Sequence, residues 1–233
     1  MNITMSPIAH MRSDFPTKFG IPRQSGLASS LRSTIVFTPE YQNPDALRGL
    51  DAFSHIWIIW QFSEAVRDGW SPTVRPPRLG GNTRMGVFAT RSPFRPNAIG
   101  LSCVELIDIE TTADNGTVLH VAGADLMDGT PILDIKPYIP YSDCFPDALG
   151  GFTSTAGDFL LDVDFPARLL RLLPESKRQA VIEVLSHDPR PSYQRNPDRV
   201  YGLRFSEFDI RFTVDGNRLT VKEVLKYKDN PPV

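Results

Sequence analysis

The chain has 233 residues, 41% hydrophobic and 22% charged, an ordinary balance for a globular protein that buries a core. Its net charge of −2 leaves no overall basic excess, so any contact with nucleic acid has to come from arginines concentrated locally. No apolar stretch near the start is long enough for a signal peptide or a membrane span, and the only two cysteines, Cys103 and Cys144, stand in no metal-ligand spacing. A soluble protein of the reducing cytoplasm is therefore expected.

In chain order, the first ~150 residues read as short apolar runs broken by Gly and Pro. Strands are expected over residues 8–12, 34–38, 53–62, 85–90, 99–110, 117–124 and 132–138. The run FSHIWIIWQF (53–62) has few polar breaks, which predicts burial on both faces. His55 inside it then reads as a satisfied core histidine, and Cys103 in the next apolar run as a small core residue. Asp114-Asn115-Gly116 is a hairpin signal, because Asn-Gly tolerates the positive φ that tight turns need. Residues 45–50 allow one short helical turn. An antiparallel barrel is the economical way to close so many short strands.

The small-residue stretch Gly150–Gly157 marks a boundary, giving residues 1–149 as a β-barrel domain and 158–233 as a small α+β domain. Helical spacing runs over 166–173 and 175–185, with Ala180, Val181, Val184 and Leu185 on one face. Strands are expected over 200–205, 208–214 and 218–227. Phe208, Ile210, Phe212 and Val214 alternate with Asp209, Arg211 and Thr213, so one face is buried and its register well determined.

The chemistry concentrates in four segments. Residues 70–102 (WSPTVRPPRLGGNTRMGVFATRSPFRPNAIGLS) hold Arg75, Arg78, Arg84, Arg91 and Arg95, with Trp70, Phe88 and Phe94 between them. Guanidiniums fork onto phosphates and carboxylates and stack on bases. The prolines and glycines around them fix loop shape before binding and lower the ordering cost. Ile21–Gly26 (IPRQSG) is the second segment. In the third, Ala124–Tyr138, Asp-Gly-Thr-Pro is a tight-turn sequence that either closes a hairpin and nothing more or offers carboxylates and N–H groups to a ribose diol or an adenine edge. The fourth, Asp188–Tyr193 (DPRPSY), adds basic and aromatic residues near the end. The remaining histidines, His10, His120 and His187, form no metal-binding pattern, so no metal is expected.

Together these segments resemble the TsaA-like or TrmO family of tRNA N6-threonylcarbamoyladenosine methyltransferases. The resemblance rests on PRQ-x-G (22–26), RGLDAFSHIW (48–57), RPPRLGGN-x-RMGVFATRSPFRPN-x-IG-x-S, D-x-x-DGTP-x-x-DIKPY-x-P and DPRP-x-Y, and covers nearly the whole chain. It implies S-adenosylmethionine carried on a small β-barrel, a homodimer with the cofactor near the subunit interface, and methylation of threonylcarbamoyladenosine 3′ of the anticodon. The absence of a G-x-G-x-x-G after a strand is consistent with a non-Rossmann site.

By the same resemblance, Pro22, Arg23, Gln24, Arg91 and Leu101 line the cofactor pocket. Ser63 and Glu64 fall at cofactor-contacting positions where some members carry His-Gln, and Asp125, Asp128, Gly129 and Thr130 complete the set. Ala98 stands where a second proline is common. The donor's carboxylate calls for an arginine, Arg23 or Arg91. Its amine or ribose calls for an acid, Glu64, Asp125 or Asp128. Asp128 and Tyr138 are the candidates for handling the acceptor's proton. Arg75, Arg78, Arg84, Arg95, Arg190, Tyr193 and Arg195 are the expected RNA contacts. A non-catalytic RNA-binding barrel, or a methyltransferase of the same fold with another substrate, is compatible with the same residues.

Overall fold

The computed structural model describes residues 3–67, 69–154, 159–190 and 196–227. Two hydrophobic cores organise the chain. The first lies inside a sheet of six strands: β1 (Ala9–Arg12), β2 (Arg32–Phe37), β3 (His55–Gln61), β6 (Ile99–Thr112), β7 (Gly116–Ala122) and β8 (Pro131–Pro137). Their order is β1-β2-β7-β6-β3-β8, and β8 pairs back onto β1 through Ala9↔Ile132, so the sheet closes on itself. Closure removes the two open edges that a flat sheet would present. Between β3 and β6 an arm projects, built on β4 (Thr73–Val74) paired with β5 (Met85–Gly86).

Alternation fills the interior. Met11, Ile35, Ile56, Ile58, Trp60, Val104, Leu119, Val121 and Ile132 are buried and pack as one cluster. Every neighbouring pair in the ring is antiparallel, so alternate strands run in opposite directions. The connections β1–β2 (residues 13–31), β3–β6 (62–98) and β7–β8 (123–130) therefore emerge at one mouth of the ring. The opposite mouth carries residues 38–54, the 113–115 turn and the chain leaving β8 into α1 (Pro140–Asp143).

The second core lies between a sheet of order β10-β11-β12-β9 and two helices. Its elements are β9 (Asp162–Asp164), α2 (Ala167–Leu170), α3 (Glu175–Ser186), β10 (Tyr201–Phe205), β11 (Phe208–Asp215) and β12 (Arg218–Lys226). Phe208, Ile210, Phe212 and Val214 face inward as their alternation predicts, against Ala180, Val181, Val184 and Leu185 of α3. Phe15, Ala28 and Leu31 of the β1–β2 connection are also part of this core. Phe15 meets Phe205 edge-on at 5.5 Å. The connection is thus anchored in the second core while its strands belong to the first.

Four expectations are corrected. Residues 53–62 are not buried on both faces. Ile56, Ile58 and Trp60 point inward, Trp57 and Ile59 are half-buried outside, and Phe53 and His55 are exposed, because a closed sheet has only one interior. His55 is consequently no core histidine; its Nδ1 lies 3.0 Å from Ser54 Oγ. Cys103 falls on the outer side of β6 and is half-buried. Residues 85–90 make only the two-residue β5 followed by a 3-10 turn over Val87–Ala89. Strands β4 and β9 carry too little alternation to have been foreseen.

Candidate cofactor and RNA site

The three connections at the shared mouth bring most of the sequence-marked residues together. Asp125 lies just beyond β7, and its Oδ1 accepts a 2.5 Å hydrogen bond from Ser102 Oγ on β6. Ser102 is 1% exposed and in turn accepts from Trp60 Nε1 on β3, at 3.0 Å. An indole, a hydroxyl and a carboxylate thus form one chain running from the interior to the mouth. Gly100 leaves the room for it, since a Cβ there would lie 2.3 Å from Trp60 Cε2. Burial pushes the Asp125 carboxyl above its ordinary value; the hydrogen bond from Ser102, backbone N–H groups including that of Ser25, and the charge of Arg91 pull the other way.

Arg91, from the β3–β6 connection, donates through Nη1 to Gln24 Oε1 of the β1–β2 connection. The loop holding Gln24 is pinned where Gly26 N donates to Gly123 O at 2.8 Å. Gly123 has φ +73°, and a Cβ there would sit 3.2 Å from Gly26 Cα, so the two loops touch through glycines. Pro22 is buried beside them and Arg23 is exposed. Gln24, Arg91 and Asp125 therefore converge, with a guanidinium and a half-buried carboxylate in one place.

Asp128, Gly129 and Thr130 occupy the same mouth but serve the β8 turn. Asp128 Oδ1 accepts from Ser13 N at 3.1 Å, and its other oxygen lies 3.6 Å from Arg12. Thr130, 3% exposed, donates to Met127 O at 2.7 Å. Ser63 and Glu64 are exposed on the 3-10 turn after β3, also at this mouth. Leu101 points away from Asp125: it is the outward neighbour of Ser102 on β6 and is 52% exposed. Tyr138 is at the opposite mouth, its N–H donating to His55 O at 3.0 Å and its ring 5.9 Å from that of Trp57. Burial first, then the neighbouring Cys144, Cys103 and Asp143, raise its phenol above the ordinary value.

Of the arginines, Arg75 and Arg84 are exposed on the arm with no carboxylate partner among the described residues. Of Arg78 only the backbone is described, in the 3-10 turn Pro77–Leu79. Arg95 is half-buried, and its Nη1 donates to Thr90 O at 2.9 Å and Ser92 O at 3.4 Å, bracing the loop that carries Arg91. Arg190 is bound in a fork to Asp188, at 2.8 and 2.9 Å. Tyr193 and Arg195 lie outside the described residues. Among the described residues no three His, Cys, Asp or Glu side chains gather as a metal would require, and no helix is long and apolar enough to cross a membrane.

Ser102 and Trp60 were not singled out from the sequence. Their signal is a serine at an inward position of an alternating strand, between Gly100 and Val104, where an unpaired hydroxyl would be costly.

The tRNA-methyltransferase O N-terminal domain family matches residues 10–144, and the TrmO C-terminal domain family matches residues 160–227. A tRNA (adenine(37)-N6)-methyltransferase of Escherichia coli (strain K12) is 43% identical over 215 residues, covering 89% of this chain and 91% of its own length. A putative S-adenosylmethionine-dependent methyltransferase, RcsF, of Pseudomonas aeruginosa is 40% identical over 227 residues, covering 91% and 93%. A crystal structure of TrmO from Pseudomonas aeruginosa superposes with a TM-score of 0.79 at 34% identity, over 97% of this chain and 98% of that one.

Proposed function

The chain belongs to the tRNA-methyltransferase O family, and from that premise we propose that it transfers the methyl group of S-adenosylmethionine to N6 of threonylcarbamoyladenosine 37 in tRNA, giving the N6-methylated nucleoside. The coarser activity, S-adenosylmethionine-dependent methylation of tRNA adenine at N6, is that of the family's named relatives. The observation that carries the reading is the convergence of Gln24, Arg91 and the half-buried Asp125 at the mouth from which the arginine-bearing arm also springs.

The cofactor supplies a methyl group activated on a sulfonium, together with a carboxylate, an ammonium and a ribose. A guanidinium and a carboxylate at one mouth fit that set of opposite charges, and the partial burial of Asp125 strengthens a charge-assisted bond to it. Arg91 would hold the carboxylate and Asp125 the ammonium or ribose, with Pro22, Gln24, Ser63 and Glu64 around them. In the transfer one S–C bond breaks, one N6–C bond forms and the N6 proton leaves. Most of the gain comes from aligning donor and acceptor. Asp128, whose Oδ1 takes the Ser13 N–H and whose Oδ2 lies 3.6 Å from Arg12, would be the carboxylate at this mouth to receive that proton. Tyr138 would reach the site only from a second copy of the chain.

A homodimer agrees with the outer face of β3 and β6. There Trp57, Ile59 and Leu101 form a continuous apolar strip, with Ile59↔Leu101 and Trp57↔Cys103 paired across the strands. In this reading residues 1–149 form a barrel domain that binds cofactor, and residues 158–233 form an α+β domain that contacts tRNA alongside Arg75, Arg78 and Arg84.

The test is mass spectrometry of tRNA nucleosides before and after incubation with enzyme and S-adenosylmethionine. The threonylcarbamoyladenosine peak should shift by one methyl. Methylation independent of that modification would point to another substrate, and no methylation with intact RNA binding to a non-catalytic protein.

A further inference from the structure

The arm exposes two aromatic side chains that neither core uses. Trp70 is 53% exposed and Phe88 72% exposed, with ring centroids 6.0 Å apart and planes inclined by 31°. Large rings ordinarily bury most of their area, so a pair held in water points to a ligand. A nearby ring shows the contrast: Phe94 is capped by the Arg67 guanidinium, 4.0 Å from its centroid. Among the described residues no charged group covers Trp70 or Phe88.

The pair sits on a stiff base. Val87, 1% exposed, donates its N–H to Pro72 O at 3.0 Å, and the pairs Thr73↔Gly86 and Val74↔Met85 lock the strands between them. Thr90 N donates to Val87 O at 3.2 Å, so the turn bearing Phe88 leads directly into Arg91 at the mouth of the ring. The surrounding charge selects the occupant. From 69 to 104 there are five arginines and no Asp or Glu, in a chain whose net charge is −2. An acid-free basic stretch with bare aromatic faces matches a single-stranded polyanion with flat bases.

We propose that Trp70 and Phe88 form a stacking platform for an unpaired base of the tRNA anticodon loop, next to the adenosine that is methylated, with Arg75 and Arg84 on the flanking phosphates. The proposal rests on the tRNA reading above and adds to it how the loop is held open. Stacking accepts any base, so the platform would contribute affinity without selecting sequence.

The probe is a synthetic anticodon stem–loop RNA with adenosine 3′ of the anticodon. It is compared with versions of the same RNA made abasic at single loop positions beside that adenosine. Trp70→Ala should weaken binding of the intact stem–loop about tenfold, while Trp70→Phe keeps most of the affinity. At one abasic position the penalty of Trp70→Ala should disappear, and affinity for S-adenosylmethionine should be unchanged in both variants. Stem–loop binding indifferent to Trp70→Ala would overturn the platform alone. Loss of cofactor affinity in Trp70→Ala would assign the ring to the cofactor instead, and a change of oligomeric state would assign it to a second copy. Failure of the wild-type protein to bind the stem–loop at all would sink the tRNA reading and the platform with it.

Discussion

At the scale of single residues, the Trp60–Ser102–Asp125 chain decides how a carboxylate can stand at the edge of an apolar interior. Removing the middle hydroxyl leaves the buried indole N–H without its partner and takes one hydrogen bond from the half-buried carboxylate, at a cost of about 1–3 kcal/mol. Ser102→Ala should therefore lower stability by that amount and weaken S-adenosylmethionine binding in calorimetry, with Ser102→Thr recovering part of both. Asp125 carries a pH prediction. Its folded value is raised above the ordinary 3.8, so its ionised form is disfavoured until a cation arrives. Cofactor affinity should decline as pH falls through that raised value, sooner than an ordinary aspartate would dictate. In Asp125→Asn the affinity should be low and this decline absent; a wild-type profile in that variant would remove Asp125 from the cleft. Gln24, Arg91 and Asp125 were candidates because the segments that carry them resemble the family's. The sequence could not mark Ser102, which looks like any small residue in a strand until its neighbours are in place.

At the scale of elements, the β1–β2 connection is the piece that joins the two halves of the chemistry. It carries Gln24 to Arg91 at the mouth, yet it is held by the second core through Phe15 and Leu31 and by α3 through Glu183. Ser30 donates to Glu183 with its N–H at 2.9 Å and its Oγ at 2.6 Å. Partial burial alone would raise the Glu183 carboxyl, but these bonds together with Gln179 and the charge of Arg32 hold it below its ordinary 4.5. A depressed carboxylate stabilises the fold fully above its unfolded value and loses that contribution as pH falls through the lower folded one. Glu183→Gln should cost about 1 kcal/mol at neutral pH and flatten the acid limb of the stability profile below about 4.5, as read by urea unfolding at several pH values. An unchanged acid limb would mean that the loop does not depend on this contact. Strand lengths and the arm were less legible than this helix. Residues 85–90 have the composition of a strand, but Val87 is buried, its N–H donates to Pro72 O and it opens a 3-10 turn, none of which local composition records.

At the scale of the whole molecule, a ring with an even number of antiparallel strands sends alternate connections to opposite ends. That rule places the cofactor candidates and the arginine arm at one end and Tyr138 at the other. The outer apolar strip on β3 and β6 runs between the two ends, and a two-fold contact through it would bring one chain's Tyr138 end toward its partner's cofactor end. On the proposed homodimer, Leu101→Arg should shift the protein toward monomer in sedimentation and lower kcat more than stability. A variant that stays dimeric would move the interface elsewhere. Removing both arm arginines, Arg75→Ala with Arg84→Ala, should weaken tRNA binding and reduce the slope of log affinity against log salt by about 1–2; an unchanged slope would take the arm off the RNA.

The sequence by itself determined the mainly β class, the strands and helices of the second, smaller sheet and the residue types in the loops, because alternation, turn chemistry and loop-borne charge are local properties of the chain. Tertiary structure alone decided which of those residues meet. Whether Leu101 or Ser102 faces Asp125 depends on which side of β6 is the interior. Whether Tyr138 shares a mouth with Arg91 depends on the direction of strands far apart in sequence, and closure of the ring sets both through pairings that no local pattern records.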